Sequence, residues 1–326
     1  MFYYLIRRLI GLIPLLIGIT LITFVVIHLA PGKPTDVLTE LNPKVSLHVR
    51  ERLAKIYHLD QPLHQQYLQW VLQIFRLDFG RSFADDRSVW DKIAERIPIT
   101  LAINLLSMMV IFLVAIPAGI WGAVRAGTFS DSVITLLLLV GFSAPSFWIA
   151  LLLMQWLGIQ LGWFPISGLV SLEFDRMTFG EKGWDFLRHL ILPVFVSAFG
   201  GIAGVSRYMR SSMAEVLRED YIRTASAKGL NRAKILYKHA LKNALLPIIT
   251  ILGLSAPGLL GGSVIFESIL SIPGLGRLFY DAVMARDYPV IMGILTIGAV
   301  LTLIGNLLAD IAYAWVDPRI RLIQKT

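Results

Sequence analysis

The chain contains no cysteine in 326 residues. Disulfides, thiolate metal sites and cysteine nucleophiles are therefore excluded, and the redox compartment leaves no mark on the sequence. Charge is also scarce. Only 16% of residues are Asp, Glu, Lys or Arg, against about 25% in soluble domains. No Gly-x-x-x-x-Gly-Lys-Ser/Thr loop is present, so a phosphate-cradling ATP site is not expected. His-Glu-x-x-His and Gly-x-Ser-x-Gly are missing too, which removes the ligands of a zinc protease and the elbow of a serine hydrolase. The six histidines are scattered. No catalytic, cofactor-binding or metal-binding residue is assigned, and the chain reads as a non-enzyme.

What is present is apolar. The hydrophobic fraction is 56% and the mean hydropathy +0.68, the composition of an all-α polytopic membrane protein. Residues 9–30 form an uninterrupted apolar run after Arg7-Arg8. It is too long for a secretory h-region and reads as a transmembrane helix bent at Pro14. Further spans are expected at 98–124, 133–161, 187–205, 244–266 and 290–315, six in all. Their small-residue pairs, Gly200/Gly204 and Gly258/Gly262, permit close helix approach, within the chain or at a dimer interface. Pro117, Pro145, Pro193 and Pro257 lie inside spans and are candidate bending points.

Four regions follow: a head and first helix at 1–30; a polar segment at 31–97; a core of five spans at 98–316; and a basic tail at 317–326. The polar segment carries two amphipathic patterns. Leu53, Ile56 and Tyr57 mark one helix; Leu63, Tyr67, Leu68, Val71, Leu72 and Phe75 mark a face of the other. Orientation comes from Lys and Arg. The head, the 125–131 turn, the 207–243 loop and the tail hold fifteen basic against five acidic residues; the opposite side holds fifteen against sixteen. Both termini are expected in the cytoplasm. The net charge of +8 then gathers at the inner membrane face and requires no nucleic acid. The span interiors are almost uncharged, with Asp310, Glu267 and His28 near span ends, which argues against an ion-coupled carrier.

The longest basic stretch, Arg218 to Pro247, reads as two amphipathic helices joined at a glycine. Met209, Met213, Val216, Leu217 and Tyr221 mark the face of the first; Ala233, Leu236, Tyr237, Ala240, Leu241 and Ala244 that of the second. Gly229 is placed to end the first helix with positive φ, and Asn231 to cap the second. Helix–turn–helix DNA binding shares this outline, but both ends run directly into apolar segments, so neither helix is free to enter a groove.

The stretch resembles the EAA loop of ABC importer permeases, with Arg223-Thr224-Ala225 where Glu-Ala-Ala is usual, Gly229 at the expected spacing, and Leu246-Pro247 closing it. The words EDYIRTASAKG and HALKNALLP, with LAPGKP, LDQPLHQQYLQWV, DFGRSF, SIPGLGRLFYDAVMARDYPVIMG and DPRIR, resemble the B-type permease of the dipeptide/oligopeptide (peptide/nickel) ABC transporter family along nearly the whole chain. The resemblance implies the type I importer fold in a prokaryotic cytoplasmic membrane. It implies a homologous C-type permease as partner, two ABC ATPases that hold ATP and Mg, and an extracytoplasmic solute-binding protein. Arg223, Thr224, Ala225, Lys228, Gly229 and Asn231 would then couple to the ATPase. Gly274, Gly276, Arg277, Arg286 and Asp287, with Asp281, would line the outer mouth, in contact with the binding protein or paired among themselves. Di- or oligopeptide is the implied cargo. Nickel or another metal, or glutathione, is the alternative within the family, and an ion-coupled secondary carrier the alternative outside it.

Overall fold

A computed structural model describes residues 2–29, 61–255, 258–259 and 261–316. The expectations at Leu53, Ile56, Tyr57, Pro257 and the tail fall outside them, as does the side chain of Asp310. Within them the chain is helical: α1 (Phe2–Leu29), α2 (Leu63–Phe75), α3 (Val89–Ala94), α4 (Ile97–Val124), α5 (Phe129–Ser143) and α6 (Ser146–Leu153) come first. A π-helical stretch, Met154–Gln160, extends α6. Then follow α7 (Phe179–Val216), α8 (Asp220–Ala227), α9 (Arg232–Ala244, π-helical in its middle), α10 (Leu246–Ser255), α11 (Val264–Ile269), α12 (Leu275–Met284) and α13 (Tyr288–Val316). No strand occurs among the described residues; an isolated antiparallel bridge pairs Arg81 with Ser88.

Four helices are long and apolar enough to cross a membrane, and two bent pairs bring the number to as many as six. The expected span 133–161 is one of these pairs. It breaks into α5 and α6 at an angle of 101°. Pro145 is the cause: it pushes Ala144 into extended backbone (ψ 132°) and itself caps α6. Of the expected span 244–266, α10 is the described apolar helix; the second bent pair joins it, at 41°, to α9, which belongs to the 207–243 stretch. Pro247 falls in the first turn of α10, where its missing N–H costs nothing. By contrast Pro14, Pro117 and Pro193 are carried inside unbroken helices.

The span expected at 187–205 is far longer. α7 runs for 38 residues because Thr178 and Glu181 form a capping box well upstream, and no glycine or proline stops the helix at its polar end. The stretch between the expected spans 244–266 and 290–315 contains a helix, α12, whose Leu275, Leu278 and Ala282 are buried.

The described residues divide into two units. The first comprises Met1–Thr100, Leu260–Val264 and Pro273–Leu307. Its core gathers Phe24 and Ile27 of α1, Val89 and Ile93 of α3, the buried face of α12, and Val290, Ile291 and Ile297 of α13. Gly293 lets α13 approach α3: a Cβ there would lie 2.6 Å from Val89 Cγ1. α2 packs through Tyr67, Trp70 and Ile74. Leu63, Leu68, Leu72 and Phe75, expected on the same face as Tyr67, are exposed instead. His28 stacks on Phe24, with its Nδ1 2.8 Å from the Phe24 carbonyl, and is a packed side chain.

The second unit comprises Leu101–Leu259, Ile265–Ile272 and Leu308–Thr326. Its core joins Ala115, Ile120 and Ala123 of α4 to Val205, Met209 and Met213 of α7, Ile222 and Ala225 of α8, and Ile235, Ala240 and Ala244 of α9. Glu267, expected near a span end, is buried in α11.

Among the described residues of this chain, Gly200 and Gly204 make no close approach. A Cβ at either would meet nothing within 4 Å, nor would one at Gly258, whereas one at Gly119 would lie 2.5 Å from Met209 Cβ and 2.8 Å from the Ser206 carbonyl oxygen. At Gly201 it would meet the Ile111 Cδ1 at 2.4 Å, the movable end of a side chain. Gly119→Ala is therefore expected to cost about 1–3 kcal/mol, with Gly201→Ala milder and Gly204→Ala neutral. Thermal melting of the purified complex in detergent ranks the three.

Candidate functional site

Three sequence features build the basic elbow. First, α8 shows one buried face, Ile222 and Ala225, against the end of α7. The face expected for a single first helix is divided: Met209 and Met213 are buried on α7, whereas Tyr221, on α8, is exposed. A turn at residues 217–219 separates the two helices. Second, Gly229 ends α8 at φ +72°. Its N–H donates to the Ser226 carbonyl at 3.0 Å and the Leu230 N–H to the Ala225 carbonyl at 3.4 Å. This is the paired 5→2 and 6→1 closure that only a residue tolerant of positive φ permits. Leu230 then folds back onto the core beside Ala225. Third, the Asn231 Oδ1 accepts from the Ala233 N–H at 3.0 Å and starts α9.

Side chains brace the elbow. Asn243 Nδ2 donates to the Tyr221 hydroxyl at 2.8 Å, tying α9 to α8. Ser212 Oγ donates to the Ala244 carbonyl at 3.0 Å, supplying a partner where α9 gives way to α10. Nearby, Arg210 of α7 clamps the α4–α5 turn. Its Nη2 donates to Asp131 Oδ2 at 2.7 Å and its Nη1 to Thr135 Oγ1 at 3.1 Å. Asp131 is buried and also accepts from the Gly127 N–H at 3.0 Å. Proximity to Gly122, where a Cβ would sit 3.1 Å from Arg210 Cδ, leaves room for the guanidinium stem. Nothing in the residue spacing had singled out Asp131 or Arg210.

Of the six coupling-loop residues, Arg223, Thr224, Lys228, Gly229 and Asn231 are exposed at the elbow, while Ala225 is buried in its core. Thr224 Oγ1 is spent on the Asp220 carbonyl at 2.9 Å. Arg223 reaches Asp220 at 3.4 Å, a solvent-exposed pair of the kind that contributes little. Lys228, Arg232 and Lys234 have no ion-pair partner among the described residues, so the tip is cationic. A cleft of mixed charge, lined by Ser211, Glu215, Arg218, Glu219, Asp220 and Arg223, opens beside it.

The residues expected at the outer mouth are mostly structural. Gly274 is the N-cap of α12. The Leu275 N–H donates to Thr100 Oγ1 at 2.9 Å. A Cβ at Gly276 would lie 2.5 Å from the Ser263 carbonyl carbon, so only glycine lets α12 sit on the 261–264 backbone. Arg277 faces Asp281 at 3.9 Å. Arg286 takes φ +51° and closes α12 as Gly229 closes α8, with Arg286 N–H on Val283 O and Asp287 N–H on Ala282 O.

Asp287, read from the sequence as lining the surface, is instead buried at 1% exposure. It accepts from Ser82 Oγ and from the Phe83 N–H at 3.0 Å. Lys92 Nζ donates to Ser82 Oγ at 3.0 Å and to Asp85 Oδ2 at 2.8 Å. The words DFGRSF and ARDYP, some two hundred residues apart, thus close on one another. Burial alone would raise the Asp85 carboxyl, but the Lys92 ammonium and the Arg87 N–H outweigh it and hold the group at about 2. A depressed carboxyl stabilises the fold above its unfolded value of 3.8 and loses that contribution as pH falls towards 2. In Lys92→Met the onset of acid unfolding is expected to move to higher pH. A fluorescence-monitored acid titration measures the shift.

Comparison with known proteins agrees with this architecture. Residues 115–322 match the family model described as binding-protein-dependent transport system inner membrane component, and residues 1–104 match its N-terminal companion. The oligopeptide transport system permease protein AppB of Bacillus subtilis is 45% identical over 97% of this chain and 98% of its own length. The di/tripeptide permease DppB of Pseudomonas aeruginosa and the dipeptide permease DppB of Escherichia coli are each 38% identical over 98% of this chain and 99% of theirs. The chain belongs to the inner membrane components of binding-protein-dependent transport systems, in the branch of the dipeptide and oligopeptide permeases.

Proposed function

We propose that this chain is one of two pore subunits of an ATP-driven importer for di- or oligopeptides. In this reading six spans bring both termini to one side, which the Lys and Arg bias of the short loops assigns to the cytoplasm. A homologous permease completes the pore, two ATPase subunits bind below it with ATP and Mg, and a solute-binding protein delivers cargo from outside. The observation that carries the reading is the exposed cationic elbow at Lys228–Lys234, closed by Gly229 and packed through Ile222, Ala225 and Ile235 onto α7. A short helix pair so braced moves as a unit. Seated in an acidic groove of an ATPase, it passes the closure of that motor to α7 and α9, whose tilt switches the pore.

The names of the relatives, oligopeptide and di/tripeptide permeases, support peptide over metal or glutathione. The test is reconstitution. Proteoliposomes holding this chain with a C-type permease, ATPases and a binding protein from the same organism are expected to take up labelled di- or oligopeptide only with ATP. Uptake by the chain alone under a proton or sodium gradient would sink the reading.

A further inference from the structure

We propose that α2 is an interfacial helix, lying in the leaflet that holds the C-terminal end of α1, with its Leu68/Leu72/Phe75 row in contact with lipid acyl chains. The helix has three distinct sides. Tyr67, Trp70 and Ile74 pack into the protein. Gln65, Gln69 and Gln73, four residues apart, make an exposed polar row. Leu68, Leu72 and Phe75 make a third row, exposed by 58%, 60% and 83%. Its thirteen residues, LHQQYLQWVLQIF, contain no Asp, Glu, Lys or Arg. A row of leucines beside a row of glutamines suits a helix that meets hydrocarbon on one flank and water on the other.

Depth decides between this and a helix standing clear of the membrane. α1 is apolar from Ile10 to Leu29, with a mean hydropathy of 2.8, and 20 such residues match a hydrocarbon core of about 30 Å. Tyr67 Oη lies 3.2 Å from Thr20 Oγ1, and Gln66 Oε1 lies 3.3 Å from His28 Nε2. Thr20 is nine residues inside the end of the run, about 13 Å along the helix. Even allowing for the reach of a tyrosine, α2 lies beside the last turns of the span rather than above them. That is the depth, about 5–10 Å, at which amphipathic helices settle. On α1, Ile22, Val26 and Leu29 are likewise exposed, on the flank away from the Thr20/Phe24/His28 face that meets α2. The inference rests on α1 as a membrane span and not on the cargo or the motor.

The absence of native cysteine makes the test direct. Leu72→Cys, Leu68→Cys and Gln69→Cys are introduced singly into the full chain and reconstituted in proteoliposomes, with a charged maleimide on both faces. The Gln69→Cys thiol is expected to react about tenfold faster or more, because the thiolate is the species that attacks maleimide and a thiol in hydrocarbon does not ionise. A bimane label at Leu72→Cys or Leu68→Cys is expected to be quenched by nitroxide carried on lipid acyl chains, and one at Gln69→Cys far less. Equal maleimide rates at the leucine and glutamine positions would place the row in water and overturn the proposal. Protection of the leucine positions from both maleimide and lipid-borne nitroxide would overturn it too, by showing a protein cover. Two leucine positions guard against one variant that fails to fold.

Discussion

Gly229→Trp and Gly229→Asp are expected to reach the membrane at normal levels and to lose transport-driven ATP hydrolysis. Space is not what the fold requires at this position, since a Cβ there would meet nothing within 4 Å. The backbone is, at φ +72°, and an L-side chain pays about 1–2 kcal/mol for that region. A penalty of this size is too small to unfold the packed pair α8–α9. Its effect is to shift the elbow, and a bulky or anionic side chain adds a clash with whatever receives the cationic tip. Coupling between distant sites is typically worth about 1–3 kcal/mol, so its loss reads as roughly a 5- to 150-fold fall in peptide-stimulated ATPase activity. Gly229→Asn separates the two effects, because asparagine tolerates left-handed backbone. If conformation alone matters, Gly229→Asn keeps most activity; if the groove admits no side chain, it falls with the others. Normal stimulated ATPase in Gly229→Trp would remove the elbow from the mechanism.

The second large effect is one of stability. Asp287→Leu is expected to destabilise the first unit by about 3–5 kcal/mol, the range for breaking a buried charged network. Ser82 Oγ and the Phe83 N–H would be left in the interior without their acceptor, each at a cost of about 1–3 kcal/mol. Ser82 is itself fully buried, so water offers no replacement. Asp287→Asn retains an acceptor for Phe83 and is expected to lose about half as much. The measurement is the yield and thermal melting of the purified complex, with Asp281→Asn, on the exposed flank of α12, as the control. Equal melting of Asp287→Leu and Asp281→Asn would show that the 78–83 turn is held by other contacts.

The basic elbow was legible because its signals are local. A glycine four residues beyond Ala225 and an asparagine two residues after it specify backbone geometry within one turn of themselves. The apolar runs were legible for the same reason, by length and by the lack of charge. What sequence reading missed was tertiary. Periodicity grouped Tyr67 with Leu68, Leu72 and Phe75, but a helix with apolar residues on two flanks does not declare which flank meets protein. The Gly200/Gly204 spacing looked like a packing device, yet it is Gly119, with no glycine partner at that spacing, that meets Met209. The polar beginning of α7 lies upstream of the expected span because hydropathy marks where a helix can enter lipid and not where the helix starts; the Thr178–Glu181 box is the signal for that. Asp287 looked like a surface charge because its partners lie about two hundred positions away.

The length of α7 has a mechanical consequence. Its 38 residues make a rod of about 57 Å, nearly twice the thickness of a bilayer's hydrocarbon core. Near one end Asp185 is pinned by the Ser171 N–H and hydroxyl, and near the other Ser212 grips α9. A rod fixed near one tip magnifies rotation: a pivot of about 10° there would sweep the far tip through roughly 10 Å. In the proposed importer, modest rocking at the anchored loop and a large excursion of the elbow would then be a single movement, geared by the helix itself.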